Sequence, residues 1–233
     1  PVSRLLSPPA KGWLQIVFLS LTPYTKGDEK SGITNKKADH KFTYVEYSSW
    51  LDDERWELID GIAYNMSPAP TSTHQRLCGE LFFRLKNLLQ NSSCEPFIAP
   101  FDVYFPEYPF QDFNSIDTIV QPDISVICDP DKIIEKGCLG APDLIIEILS
   151  PATAKKDMHE KFHLYEKQGV KEYWIVDPGN TYIRIFHLQT EGKDAGLYDD
   201  GTLVPPADWR EENSIAESAV LDGFKIDTRE LFA

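Results

Sequence analysis

VQPDISVICDP (Val120–Pro130), PDLIIEILSP (Pro142–Pro151) and DMHEKFHLY (Asp157–Tyr165) decide the fold. The first two hold short apolar runs bounded by turn-forming residues, with Asp123 in one and Glu147 in the other, and they read as buried strands. The third follows Pro151 and reads as a helix. Strand alternation sets Leu144, Ile146 and Ile148 on one face of the second run and Ile145, Glu147 and Leu149 on the other, so Glu147 interrupts an apolar surface. Pro122 cannot donate a ladder hydrogen bond, which places Asp123 at a strand end. A buried carboxylate is costly unless it is paired, protonated or bound to metal. Two of them on neighbouring core strands therefore point to a cation site.

Working outward, Thr43 and Glu46 fit a capping box that opens a short helix over 44–51. RWELIDGIAYNM (Arg55–Met66) reads as a hairpin around Asp60-Gly61, with Glu57 on its first arm. The loop SPAPTST delivers a helix over 74–90, whose His74, Leu77, Cys78, Leu81, Leu85 and Leu88 recur at helical spacing. Pro96 to Phe105 reads as one strand, and DPDKIIEKGCLGAP as a long connection between the two carboxylate-bearing strands. In the segment after Pro151, Met158, Phe162 and Tyr165 form the apolar stripe and Gly169 closes the helix. EYWIV (Glu172–Val176) is a buried strand that turns at Asp177-Pro178-Gly179-Asn180 and returns antiparallel over 182–188. A hairpin around Asp199 to Gly201 and the closing VLDGFKIDTRELF complete an α/β or α+β order with a mixed sheet.

The 233 residues suffice for one elaborated domain, expected over 43–233 behind an N-terminal arm, 1–42, to which no role is assigned. A formal charge of −14 argues against broad nonspecific attraction to nucleic acid or an anionic membrane, and leaves room for a local basic patch. The apolar window Trp13–Leu21 is short of the roughly 20 residues a membrane span needs, and no small-residue cleavage site follows it. The chain begins at Pro1 rather than Met, as a trimmed or incomplete start would. Cys78, Cys94, Cys128 and Cys138 form neither a CxxC pair nor a metal-like spacing with histidine, so reduced, buried thiols in a cytoplasmic protein are expected.

Asp123 and Glu147 are the expected Mg²⁺ ligands, since a hard cation takes oxygen donors and keeps several waters. The plain alternative is two structural acids satisfied by backbone donors. Lys161 stands one helical step from the apolar stripe, where it could orient or deprotonate a water or neutralise phosphate charge; otherwise it is a surface lysine paired with Asp157. His74, in the first turn of its helix, is either a catalytic group or a core histidine. Glu57 is either a third ligand or a surface charge. There is no glycine-rich phosphate loop, no GxSxG and no HExxH.

RWELIDG, MSPAP ahead of His74, QPDISV, DLIIEILSPAT, the spacing Asp157-x-x-x-Lys161-x-x-x-Tyr165 and GVKEYWIVDP occur in an order that resembles the Uma family of restriction endonucleases. That family lies within the PD-(D/E)xK nuclease superfamily, and the resemblance runs from about Thr43 to the C-terminus. It implies a restriction-endonuclease-like fold with a central mixed sheet flanked by helices, a homodimer, and Mg²⁺-dependent hydrolysis of DNA phosphodiester bonds, with Mn²⁺ as a substitute. Asp123 matches the superfamily aspartate and Glu147 the acid of the next strand. The superfamily lysine two residues after that acid falls on Leu149, and Lys161 is the position that matches a lysine migrated to the following helix. The rival reading is a nuclease-fold protein that no longer cuts and acts through binding or assembly.

Overall fold

The computed structural model describes residues 40–50, 55–66, 69–151, 154–205 and 214–233. The expected arm therefore lies almost wholly outside the described residues, as do Leu51 and the start of the helix after Pro151, while the first helix, expected over 44–51, already stops at Tyr47.

The hairpin forms as expected: β1 (Trp56–Ile59) and β2 (Ile62–Asn65) pair antiparallel. Asp60 and Gly61 between them both take positive φ, 48° and 79°, the double left-handed turn that matches strand twist and suits Asp-Gly. Before it stands α1 (Tyr44–Tyr47), with the backbone N–H of Thr43 donating to Glu46. After it comes α2 (Ser72–Leu88), whose N-cap Thr71 accepts from the His74 backbone N–H.

The expected single strand over 96–105 is two, β3 (Glu95–Ile98) and β4 (Asp102–Tyr104), and they belong to different sheets. Pro100 between them lacks the N–H a continuous ladder would need, and the chain crosses layers there. Next come β5 (Ile119–Val120) and β6 (Ile124–Ile127). The expected connection after β6 holds a small hairpin of its own, β7 (Ile133–Ile134) and β8 (Gly137–Leu139). Then follow β9 (Leu144–Ile148), a helical segment described below, β10 (Glu172–Asp177), β11 (Tyr182–His187), β12 (Thr202–Val204), β13 (Ile215–Glu217) and β14 (Lys225–Asp227). The residues around Asp199–Gly201 turn the chain into β12, which pairs with β11.

Two six-stranded mixed sheets result, ordered β2-β1-β5-β4-β8-β7 and β12-β11-β10-β9-β6-β3, with β13 and β14 as a separate pair. Within the second sheet β9 runs antiparallel to β6 and parallel to β10. The alternation read from the sequence holds. Leu144, Ile146 and Ile148 pack with Leu77, Leu81 and Leu85 of α2, while Ile145 and Leu149 face the layer that holds Val103, Val120 and Tyr165. The second sheet is thus covered by α2 on one face and by the first sheet and the later helix on the other.

The helical segment departs from a regular α-helix. It opens as α3 (Ala154–Lys156), widens into a π turn over Asp157–Lys161 and continues as α4 (Phe162–Gln168), closed by Gly169 at φ 82°. The π turn overrides the stripe predicted from 3.6-residue spacing: Met158 is 42% exposed, whereas Asp157 and Lys161 are each 2% exposed and Tyr165 is fully buried.

The thiol expectation needs correction. Cys78 and Cys138 are free and buried, but Cys94 and Cys128 form a disulfide. Antiparallel pairing of Glu95 with Ile127 sets the flanking cysteines opposite each other, a juxtaposition that a separation of 34 residues does not advertise.

Among the described residues no helix is long and apolar enough to cross a membrane.

Candidate active site

Asp123 stands just before β6 and Glu147 in β9, and antiparallel pairing of Ile124 with Ile146 brings them side by side. The backbone N–H of Asp123 donates to Glu147 Oε2 at 3.3 Å. Asp123 Oδ2 accepts from the Ile148 N–H at 2.8 Å and lies 3.0 Å from His74 Nε2. A carboxylate can only accept, so that histidine nitrogen carries the proton. Burial disfavours the charged ring, yet the hydrogen bond to Asp123 and its charge hold the His74 pKa above the ordinary value.

Lys161 comes in from the π turn. Its Nζ is 2.7 Å from Glu147 Oε1, 2.8 Å from Glu57 Oε1 and 3.7 Å from Asp157 Oδ1. The surface pairing with Asp157 alone does not describe it. Tyr165, four residues on, donates its hydroxyl to the same Glu147 oxygen at 2.8 Å. Glu57 is fully buried in β1, where it takes an ion pair from Lys156 as well and accepts the Gln121 backbone N–H at 3.0 Å. It is therefore not a surface charge. Leu149, on which the resemblance noted in the sequence would place a lysine, packs in the apolar layer.

Glu57 and Glu147 share Lys161, yet their protons behave oppositely. Burial works against ionising Glu57, but Lys161, Lys156 and the hydrogen bonds they donate overcome it and lower its pKa to about 2. For Glu147 burial prevails: together with the charges of Asp157, Asp123 and Glu57 it overcomes the pull of Lys161, and the carboxyl is pushed up to about 8. Lys161 itself is disfavoured as a cation by burial but sits among Glu147, Glu57 and Asp157, which keep its pKa well above the ordinary value. An ammonium so held can neutralise charge and cannot accept a proton.

A cavity of about 270 Å³ opens over these groups, lined among others by Arg55, His74, Asp123, Glu147, Lys156 and Lys161. Four of the five side chains singled out in the sequence line it, and Glu57 stands behind its wall as the partner of both lysines. Sequence reading missed Lys156, Tyr165, Gln121 and the inward turn of Asp157. In a regular α-helix Lys156 and Lys161, five residues apart, would point about 140° away from each other, so only the π turn brings both to Glu57. Tyr165 was legible as Lys161 plus four.

Among the described residues no group of three or more His, Cys, Asp or Glu side chains forms a metal cage. The donors at hand, Asp123 and Glu147, are two hard carboxylate oxygens, the set that suits a cation keeping much of its water shell, as Mg²⁺ does.

Mixed sheets flanked by helices, with acids and a lysine gathered at the ends of adjacent strands, define the fold class of nuclease-like α+β proteins. The chain is a member of the Uma2 family, described as "Putative restriction endonuclease", whose profile matches residues 44–221. A relative from Synechocystis sp., "Uncharacterized protein slr1290", is 28% identical over 155 residues, covering 65% of this chain and 77% of its own. The chain also resembles a crystal structure from Anabaena variabilis, described as a putative nuclease belonging to DUF820, with a TM-score of 0.62 and 18% identity. That likeness covers 82% of this chain and 97% of the other.

Proposed function

We propose that this protein is a Mg²⁺-dependent endonuclease that hydrolyses DNA phosphodiester bonds as a homodimer. The observation that carries the reading is the meeting of Asp123, Glu147 and Lys161, from three separate segments, at one open cavity. Asp123 and Glu147 would hold Mg²⁺, or Mn²⁺ in its place. The bound cation would supply a water of lowered pKa and neutralise charge on the phosphate. His74 and the Ile148 N–H fix the orientation of the Asp123 carboxylate, which makes His74 a positioning residue. Lys161 is the cation set beside Glu147, suited to stabilising the extra charge of the transition state. Glu57 and Lys156 hold Lys161 in place from behind. Two-fold pairing would face two such sites toward opposite strands of a duplex.

One observation favours the rival, a nuclease-fold protein that binds without cutting: Lys161 already has three carboxylate neighbours. Plasmid DNA incubated with wild type and Asp123→Ala in Mg²⁺ and in Mn²⁺ separates the two. Cleavage by wild type that Asp123→Ala abolishes, together with loss of the Mn²⁺ binding heat in calorimetry, is expected. An unchanged Mn²⁺ isotherm on Asp123→Ala would refute the ligand assignment, and failure of the wild type to cut any DNA would leave the binding reading.

A further inference from the structure

The geometry points to Arg55 as the group that grips a backbone phosphate at the mouth of the cavity, an inference that rests on the nuclease reading above. The chain carries 37 acidic against 23 basic residues, so a polyanion must be met by a locally concentrated cation. Among the described residues lining the cavity, the candidates are Arg55, His74, Lys156 and Lys161. Three of them are already matched with carboxylates: His74 with Asp123, Lys156 with Glu57, and Lys161 with Glu57, Glu147 and Asp157.

Arg55 differs. It stands exposed just ahead of β1, and its Nε and Nη2 donate to a single neutral acceptor, Gln121 Oε1, at 3.2 Å and 2.9 Å. Among the described residues no carboxylate lies within ion-pairing distance of it. Its side chain is held, and among the described residues its charge is uncompensated.

The orientation of that acceptor is itself determined. Gln121 Nε2 donates to Asp102 Oδ1 at 2.8 Å and to Tyr47 Oη at 3.3 Å. Asp102 also takes the hydroxyls of Tyr47 at 3.1 Å and Tyr104 at 2.9 Å. A carboxylate can only accept, so the amide NH₂ must face Asp102 and the amide oxygen is left for Arg55. The Gln121 backbone N–H is in turn bonded to Glu57, which ties the arrangement to the lysine pair. A guanidinium has five N–H donors in a rigid plane, and among the described residues two are used, which leaves three for the bidentate geometry that phosphate oxygens favour. Gln121 thus acts as a positioning residue and Arg55 as the substrate-gripping one.

Fluorescence anisotropy of a fluorescein-labelled duplex oligonucleotide, with Ca²⁺ in place of Mg²⁺, reads binding apart from cleavage. Wild type, Arg55→Gln and Arg55→Lys would be compared between about 50 and about 200 mM salt. Arg55→Gln is expected to weaken binding about tenfold and to flatten the log–log salt slope by about 0.9, the value for one lost phosphate contact. Arg55→Lys should restore the slope and only part of the affinity, because a lysine keeps the charge without the planar fork. Equal affinity and slope for wild type and Arg55→Gln would overturn the inference and leave the nuclease reading standing. A flattened slope in Arg55→Lys would overturn it as well. Absence of any oligonucleotide binding by the wild type would overturn both.

Discussion

Replacing Glu57 by Gln removes the negative charge between two lysines while keeping side-chain size. Glu57 is fully buried, and its carboxyl is held at about 2 against an ordinary 4.5. That difference corresponds to about 3 kcal/mol of stability at neutral pH. The figure agrees with the roughly 3–5 kcal/mol expected when one partner of a buried ion pair is removed. Lys161 would keep Glu147 and Asp157, whereas Lys156 would lose the carboxylate it pairs with, so most of the damage should fall on Lys156 and the packing of α3. The sign of the pH effect follows from a depressed carboxyl. Its stabilisation is fully present above pH 4.5 and is lost as the pH falls toward about 2. Urea unfolding of wild type and Glu57→Gln across that range gives a difference curve in which titrating groups remote from Glu57 cancel, while Glu147, whose pKa the Glu57 charge helps to raise, adds a change of its own toward pH 8. The curve should stand at about 3 kcal/mol just above pH 4.5 and decline below it. A neutral-pH difference under about 0.5 kcal/mol, the level of an ordinary surface substitution, would refute the reasoning.

Lys161→Ala should leave Mn²⁺ affinity nearly intact while lowering the cleavage rate about 10²-fold, as loss of one preorganised electrostatic contact does; equal cleavage by both proteins would remove the lysine from the mechanism. Light scattering at micromolar concentration should give twice the chain mass, and a strict monomer would redirect the proposal toward nicking or single-strand cleavage. Alkylation under denaturing, non-reducing conditions followed by mass spectrometry should label Cys78 and Cys138 alone, and four labels would refute the Cys94–Cys128 bond.

Much of the architecture is local in origin and could be read directly. The Asp60-Gly61 turn needs two left-handed residues in succession, the Thr71 cap precedes its helix, and period-two alternation assigned Glu147 and its neighbours to the correct faces of β9. Glu147 and His74 drew attention for a local reason, since each is a polar group on a face predicted to be apolar, whereas Asp123 was read at a strand end, Lys161 one helical step off the apolar stripe and Glu57 on a hairpin arm. What local rules could not supply was the partnership among them. Pairing of Ile124 with Ile146 sets the acid of one strand against that of the next, and Glu57 meets the two lysines across a gap of about 100 residues in the chain. The π turn over Asp157–Lys161 contradicts the 3.6-residue period on which the helical stripe was predicted, and exchanges Met158 for Asp157 and Lys161 at the core face. Such a turn gives up regular backbone spacing, and here it coincides with ion pairs whose carboxylates lie on strands of both sheets. The residue types of the site were thus legible in the sequence, while its charge balance, the opposite titration of Glu57 and Glu147, and the role of Lys156 were decided by tertiary packing, because electrostatic energies depend on distance and burial rather than on order along the chain.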